Sequence, residues 1–448
     1  MGRVFAAVDV GASGGRVMAG LVDDGKVRLR EVHRFPNGVV AKGGHLRWDL
    51  RRLYAEILDG LSQIPEAEAI GVDTWGVDYG LLDEAGHLLA DPIAYRDDRG
   101  SKAVDAVHSR VSREELYALT GIQFLAFNTI YQLVAEQESP LWSRAAGALL
   151  IPDLLAYWLT GQRGTEVTNA STTGLLDVKH RCWSTDLLDR LGIPADLLAP
   201  LEDPGTQRGR TPGGTPVITV GSHDTASAVV GIPAVVDNFA YIASGTWSLV
   251  GLELDGPVLS QEARSANFTN EVGLDGTTRF LRNTGGLWLL AECLQAWGRE
   301  DVDNLMSAAG ALPAGPHIDV DDPALLVPGG MPDKIAQRAG AHLQPAEIVR
   351  CILDSLAGGY AKTVWEAAHL AGRDVEVIHL VGGGARNPLL CQLTAEAAGL
   401  PVIAGPVEAT ALGNVVVQAR SFGVLPDSLP AIRSALAVST PLRRYQPD

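Results

Sequence analysis

The sequence predicts an α/β chain of two related domains, each opening on a β-hairpin whose turn faces a shared cleft. Three observations carry this. Near the start, apolar residues 5–10 lead through Gly11-Ala12-Ser13-Gly14-Gly15-Arg16 into further apolar runs at 17–22 and 27–35, giving strand, Gly-rich turn, strand, strand. After Pro233 the plan returns, with residues 239–243, the small polar turn Ser244-Gly245-Thr246, then 247–254. Late in the chain, a strand pattern at 376–381 runs into Gly382-Gly383-Gly384 and then a helix pattern at 389–398. The predicted domains are residues 1–232 and 233–448.

The elements follow in order. Residues 46–61 place Trp48, Leu50, Leu53, Tyr54, Ile57, Leu58 and Leu61 near the 3.6-residue period of a helix. Residues 69–74 read as a strand, and Asp73, Thr74, Trp75, Gly76 and Asp78 crowd polar and aromatic groups at its end. A helix is expected at 149–159 and a polar loop at 165–173. An apolar run at 215–220 reads as the strand before 221–228, GSHDTASA. In the second half, 345–370 is a long helix, 409–419 a later one, and Gly399 is suited to a helix C-cap ahead of Pro401.

Composition narrows the function. The 448 residues are 46% hydrophobic and 20% charged, enough to bury large cores, and 50 Gly and 25 Pro are spread rather than clustered. A net charge of −17 argues against general affinity for nucleic acid or anionic membrane, but not against a local anion site. No apolar run approaches the ~18 residues of a membrane span, and no signal segment is read before the first strand. Cys182, Cys293, Cys351 and Cys391 are far apart without metal-ligand spacing, as expected of reduced, mostly buried thiols in a cytoplasmic protein.

Several stretches carry chemistry. Glycines at 11–15 let a backbone approach a ligand closely, amides in such a turn can cradle phosphate, and Arg16 adds positive charge there. Asp9 ends a buried strand, where an unpaired carboxylate is costly. Asp224, between His223 and Thr225, is either a general base or a helix N-cap, because Asp, Ser and Thr also accept from the first free helix amides. The mixture of Trp, Asn, Asp and Arg at 75–78, 95–99 and 127–129 suits a sugar, with aromatic faces against C–H surface and polar groups on hydroxyls. A strand ending in three glycines before a helix suits an anion or nucleotide.

Together these stretches resemble the FGGY family of carbohydrate kinases over nearly the whole chain and in the family's order. VDVGASGGRVMAGL (8–21) is similar to its first phosphate motif, ASGTWSL (243–249) to its second, and VGGGARNPLLCQLTAEAAGLPV (381–402) to its adenosine motif. GVDTWGVDYGLLDEAG, YRDDR, GIQFLAFNTIYQL, TNASTTGLLD and SHDTASAV resemble the branch of the family that acts on L-rhamnulose. The resemblance implies a two-domain actin-like ATPase (ribonuclease H-like) fold with its active site in the interdomain cleft. It implies ATP-dependent phosphorylation of L-rhamnulose on the 1-hydroxyl, with ATP and Mg²⁺ as the cofactors.

By the same resemblance, Asp224 is the catalytic base and Asp9 helps hold Mg²⁺ through water. Ala12, Ser13, Gly14, Gly15 and Arg16 face the phosphates, Thr246 offers a hydroxyl near them, and Gly383 and Gly384 lie against the nucleotide. Gly76, His223, Asp224, Thr225 and Asn283 contact the ketose. The expected partners are ATP and a small ketose, without nucleic acid or membrane, and the chain is expected as a monomer or homodimer. Three places depart from the pattern: Ala291 stands where the branch has Gln, Thr284-Gly285 replaces a bulkier apolar pair, and Gly14 stands where Ser is common. The alternatives are a kinase for L-fuculose, L-ribulose or L-xylulose, or a catalytically idle nucleotide-binding sensor.

Overall fold

Side-chain alternation explains the first sheet. In β1 (Arg3–Val10), Ala6, Val8 and Val10 join one apolar cluster, while Phe5 and Ala7 join another. Both faces of the strand are therefore covered, as in a sheet layered between helices. The first cluster includes Leu53 and Ile57 of the helix Leu50–Ser62 and Leu154 and Leu155 of the helix Ile151–Thr160. The second includes Leu412, Val415 and Val416 of the helix Ala409–Ser421 and Ile432 of the helix Leu429–Ser439.

This computed structural model describes residues 2–298, 301–325, 327 and 329–447. They form two compact units. The first comprises Met1–Val235, Glu253–Phe280 and Ala409–Ser439; the second comprises Val236–Leu252, Leu281–Glu408 and Thr440–Asp448.

The sheet of the first unit has six strands. From one edge they are Gln207–Arg210, Pro216–Ile218, Ile70–Thr74, β1, β2 (Gly14–Asp23) and β3 (Lys26–Pro36). β1 runs antiparallel to β2 and parallel to Ile70–Thr74, and Pro216–Ile218 is parallel to Ile70–Thr74 as well. The carboxyl ends of three neighbouring parallel strands thus lie at one edge of the layer, the usual place for a ligand site in an α/β sheet. Register then places Asp9 opposite Arg16 on one side and Asp73 on the other.

The second unit repeats the plan. Phe239–Ser244 runs antiparallel to Trp247–Leu254 and parallel to Val377–Val381. Val402–Ala404 continues the parallel run and Arg443–Tyr445 closes it antiparallel. The helix Pro345–Ala371 begins with a capping box between Gln344 and Glu347 and ends at Gly372 in the left-handed region, φ 60°. Gly399 caps the helix Pro388–Ala398 with φ 65°, as the sequence indicates.

Three segments depart from the expected elements. The helix read at 46–61 starts only at Leu50, because Asp49 accepts from the Arg52 amide at 3.1 Å and His45–Trp48 pairs with Val39–Lys42. The helix read at 149–159 starts at Ile151, with Pro152 in its first turn, after Gly147–Leu150 has paired with Tyr79–Leu82. The polar segment 165–173 is not a solvated loop. Thr165–Glu166 pairs with Leu201–Glu202, Val167–Ala170 makes a helical turn, and residues 165–173 are all buried.

Candidate active site

The first cluster of functional groups stands at the ends of β1 and Ile70–Thr74. Asp9 is 6% exposed, and Arg16 Nη2 donates to its Oδ2 at 2.7 Å, so the cross-strand register supplies the partner that a buried carboxylate needs. The turn between them holds Gly11, Ala12, Ser13 and Gly14, with Ser13 exposed and its neighbours half-buried. Gly15 is buried against the Phe35 ring.

Asp73 is wholly buried on the face of the sheet covered by Ala409–Ser421. Asn414 Nδ2 donates to its Oδ2 at 2.5 Å. Gln418 orients that amide by donating to Asn414 Oδ1 at 2.6 Å, and it also donates to Ala6 O at 3.0 Å. Asp73 Oδ1 is buried with no partner among the described residues. Burial, then the neighbouring Asp9 and, more weakly, Asp224, push the Asp73 carboxyl well above the ordinary carboxylate range. Three acids from three adjacent strand ends therefore act on one another.

Asp224 belongs to the third strand end. Thr74 N donates to Ser222 O at 2.9 Å, which fixes the loop from Pro216–Ile218 against Ile70–Thr74. The helix Asp224–Val230 then begins, and its N-cap residue is His223, in extended conformation. Asp224 is the first residue inside the helix rather than its cap, so the capping alternative does not account for it. Its side chain is 32% exposed and accepts from Thr225 Oγ1 at 3.1 Å.

Glu166 secures this turn from beneath. Wholly buried, it accepts from Thr168 N at 2.8 Å, Thr168 Oγ1 at 2.5 Å, Asn169 N at 3.3 Å, Ser222 N at 2.9 Å and Ser222 Oγ at 2.7 Å. Burial pushes its carboxyl up, and these donors oppose the shift. The segment 165–173 is thus a buried scaffold for the loop that presents Asp224.

The stretch after Asp73 is tightly held. Trp48 Nε1, Trp75 Nε1 and the Tyr95 amide donate to Asp78 Oδ2 at 2.6, 3.0 and 3.1 Å, and Gln132 Nε2 donates to Oδ1 at 3.1 Å. Between them, Val77 has φ 68°, a region a β-branched residue seldom adopts. Thr129 Oγ1 donating to Val77 O at 2.7 Å helps to impose it. Gly76 is half-buried, and a Cβ there would meet Thr172 Oγ1 at 3.0 Å.

The second unit carries the remaining predicted residues. Thr246 is half-buried in the turn between Phe239–Ser244 and Trp247–Leu254, and its carbonyl accepts from Trp288 N at 3.2 Å. Asn283 is half-buried on Thr278–Gly285. Beside it, Thr284 Oγ1 and Gly285 N both donate to Asp321 Oδ1 at 2.8 Å, which gives the departing Thr-Gly pair a structural use. Ala291 is exposed on the helix Trp288–Trp297. Two of the three glycines at 382–384 have local reasons: Gly382 sits at φ 81°, and a Cβ on buried Gly384 would stand 2.3 Å from Ser244 Oγ. Gly383 is exposed, and a Cβ built there would lie 3.8 Å from Ser244 O.

The structure thus brings Asp9, Arg16, the 12–15 turn, Gly76, His223, Asp224 and Thr225 into the first unit, and Thr246, Asn283, Gly383 and Gly384 into the second. Sequence reasoning missed Glu166, Glu271, Arg279, Asn414 and Gln418 as parts of the site. They reveal themselves only through tertiary hydrogen bonds, Glu166 with Ser222, His223 with Glu271, Arg279 with His223 and Asn414 with Asp73. Among the described residues, no group of three or more His, Cys, Asp or Glu side chains could enclose a metal ion, and no helix is long and apolar enough to cross a membrane.

Residues 4–231 match the N-terminal domain, and residues 240–422 the C-terminal domain, of the FGGY family of carbohydrate kinases. The rhamnulokinase of Bacteroides thetaiotaomicron is 40% identical over 469 residues, covering 100% of this chain and 96% of its own. That of Pectobacterium carotovorum is 44% identical over 461 residues, covering 99% and 93%. A ligand-bound xylulose kinase from Lactobacillus acidophilus superposes with a TM-score of 0.80 at 18% identity, covering 100% and 94%. Plasmodium falciparum glycerol kinase with ADP gives a TM-score of 0.77 at 17% identity, with the same coverage. The expected α/β, actin-like ATPase architecture is the fold these structures share with the chain.

Proposed function

Because the chain belongs to the FGGY family of carbohydrate kinases, with ATP as phosphoryl donor, we propose that it phosphorylates L-rhamnulose on its 1-hydroxyl. The observation that carries this reading is the placement of Asp224. It is an accessible carboxylate that does not cap its helix, and it shares one sheet edge with Asp9 and Arg16.

Phosphoryl transfer asks a protein chiefly for positioning and charge stabilisation. Asp224 accepts the proton of the sugar hydroxyl as that oxygen bonds to the γ-phosphorus, a late transfer because a carboxylate is a weak base. Arg16 and the amides of Ala12, Ser13, Gly14 and Gly15 offset phosphate charge, and Thr246 donates its hydroxyl there. Gly383 and Gly384 lie along the nucleotide, and Gly76, His223, Thr225 and Asn283 orient the ketose.

The donor set fits Mg²⁺ in one form. No three-ligand cage exists among the described residues, whereas Mg²⁺ in phosphoryl transfer is commonly held by one or two carboxylates together with substrate phosphates and water. Asp9 is the carboxylate in reach of the Gly-rich turn. When bound, Mg²⁺ neutralises charge on the phosphates. On this reading residues 1–232 and 233–448 act as two domains, and the enzyme works in the cytoplasm as a monomer or homodimer.

The test is ADP release with Mg²⁺ and ATP across L-rhamnulose, L-fuculose, L-ribulose, L-xylulose and glycerol. The highest kcat/KM is expected for L-rhamnulose. A clear preference for another substrate overturns the sugar assignment, and ATP binding without turnover on any of them overturns the kinase reading.

A further inference from the structure

Asp224 stands at the end of a chain of charged and polar groups. His223 Nε2 lies 3.5 Å from Asp224 Oδ1, and His223 Nδ1 lies 3.1 Å from Glu271 Oε2. Arg279 Nη1 is 3.0 Å from the same Glu271 oxygen. Glu271 is 3% exposed and Arg279 wholly buried, with Arg279 Nε donating to Val272 O at 3.2 Å. Burial alone would raise the Glu271 carboxyl, but Arg279 and His223 together hold it below the ordinary carboxylate range. Glu271 is therefore an acceptor only.

Two neutral arrangements of the His223 ring compete. In one, Nδ1 carries the hydrogen and donates it to Glu271, which leaves Nε2 with a lone pair beside Asp224. In the other, Nδ1 is bare and accepts from the Arg279 guanidinium, whose Nη1 and Nη2 are each 3.4 Å away, while Nε2–H faces Asp224 at 3.5 Å. The second arrangement turns a lone pair toward a buried carboxylate at 3.1 Å and relies on longer contacts. The first makes the shortest available bond and leaves Arg279 on Glu271. A neighbour on one ring nitrogen commonly decides what the other can do.

We propose that Glu271, fixed by Arg279, is a positioning residue that sets the tautomer of His223 and leaves Nε2 as a hydrogen-bond acceptor beside Asp224. Two acceptors 3.5 Å apart then face the substrate. They are satisfied by a molecule offering two hydroxyls there, the one to be phosphorylated on Asp224 and a second on His223. A substrate lacking the second hydroxyl leaves a buried acceptor unpaired, a strong basis for rejection. This use of Nε2 rests on the sugar-kinase reading; the tautomer itself does not.

The test begins with ¹⁵N NMR of the full chain carrying ¹⁵N-imidazole histidine at neutral pH, the His223 signals being assigned by their loss in His223→Asn. A protonated Nδ1 with a bare Nε2 is expected. A protonated Nε2, with or without a protonated Nδ1, overturns the proposal, and this spectrum needs no variant of Glu271 to fold. In Glu271→Gln, whose amide can donate as well as accept, the Nδ1–H signature is expected to weaken. The KM for the sugar is expected to rise about 10- to 100-fold, with the KM for ATP unchanged and unfolding still cooperative. An unchanged tautomer and unchanged sugar KM in that variant also overturn it. Absence of turnover by the wild-type chain on every sugar is a different failure: it removes the kinase reading while the spectrum still decides the tautomer.

Discussion

Gly413 lies directly against Ser227: a Cβ built on Gly413 would stand 1.8 Å from the Ser227 carbonyl oxygen and 2.7 Å from its carbonyl carbon. The missing side chain lets the helix Ala409–Ser421 meet the helix Asp224–Val230 backbone to backbone. That contact sets the position of the helix whose first residue is Asp224. Backbone cannot yield as a side-chain tip can, so Gly413→Ala forces the helices apart. The expected cost is about 3 kcal/mol, the upper range for overpacking, read as a lower urea midpoint. Turnover should fall in the fraction that remains folded. An unchanged midpoint would show that the helices approach less closely than this.

Asp73 carries a pH signature. Its folded carboxyl is raised, by burial first and then by Asp9, so the native chain keeps a proton that the unfolded chain releases above about pH 3.9. The native state therefore binds more protons, and the stability this group contributes is lost as pH rises from that value upward. Asp73→Asn keeps an oxygen for the Asn414 amide and removes the titration. The stability of the variant relative to wild type should rise as pH increases from about 4 toward neutrality, as this linkage requires. A difference flat across that range would mean that Asp73 is ionised in the native protein.

How far the sequence could be read follows from the range of the forces involved. Both hairpins, the strand ending at Thr74 and the long helix 345–370 were legible because apolar period and turn chemistry are local. Asp9, Arg16 and Asp224 stood out because a charge at the end of a buried run needs a reason. The start of the helix at Leu50 was not legible, because Trp48 is committed to Asp78, thirty residues away in the chain. Residues 165–173 read as a loop because nothing nearby says that Glu166 will meet Ser222. Asn414 and Asp73 are separated by 341 positions, and only the folded sheet brings them together.

Asp9 tests the Mg²⁺ assignment. Asp9→Asn keeps the side-chain shape and removes one charge, while the carbonyl oxygen can still accept from Arg16. If Asp9 helps hold Mg²⁺, the concentration needed for half-maximal rate at fixed ATP should rise about tenfold or more, the scale of losing one charged partner. The KM for the sugar should change little. An unchanged Mg²⁺ dependence would leave Asp9 as the ion-pair partner of Arg16 alone.

Asp224→Asn separates catalysis from structure. The Asp224 side chain is 32% exposed and accepts a hydrogen bond from Thr225, so the substitution removes little packing. Stability should stay within about 0.5 kcal/mol of wild type, as for surface positions generally. ATP binding should persist. Turnover should not: an amide cannot take the proton of the attacking hydroxyl, and general-base catalysis typically contributes about 10²- to 10⁴-fold. A folded Asp224→Asn enzyme that keeps kcat within about tenfold of wild type, below that range, would transfer the base role to another group. His223 would then be the first to test, since its Nε2 is 3.5 Å from Asp224 Oδ1.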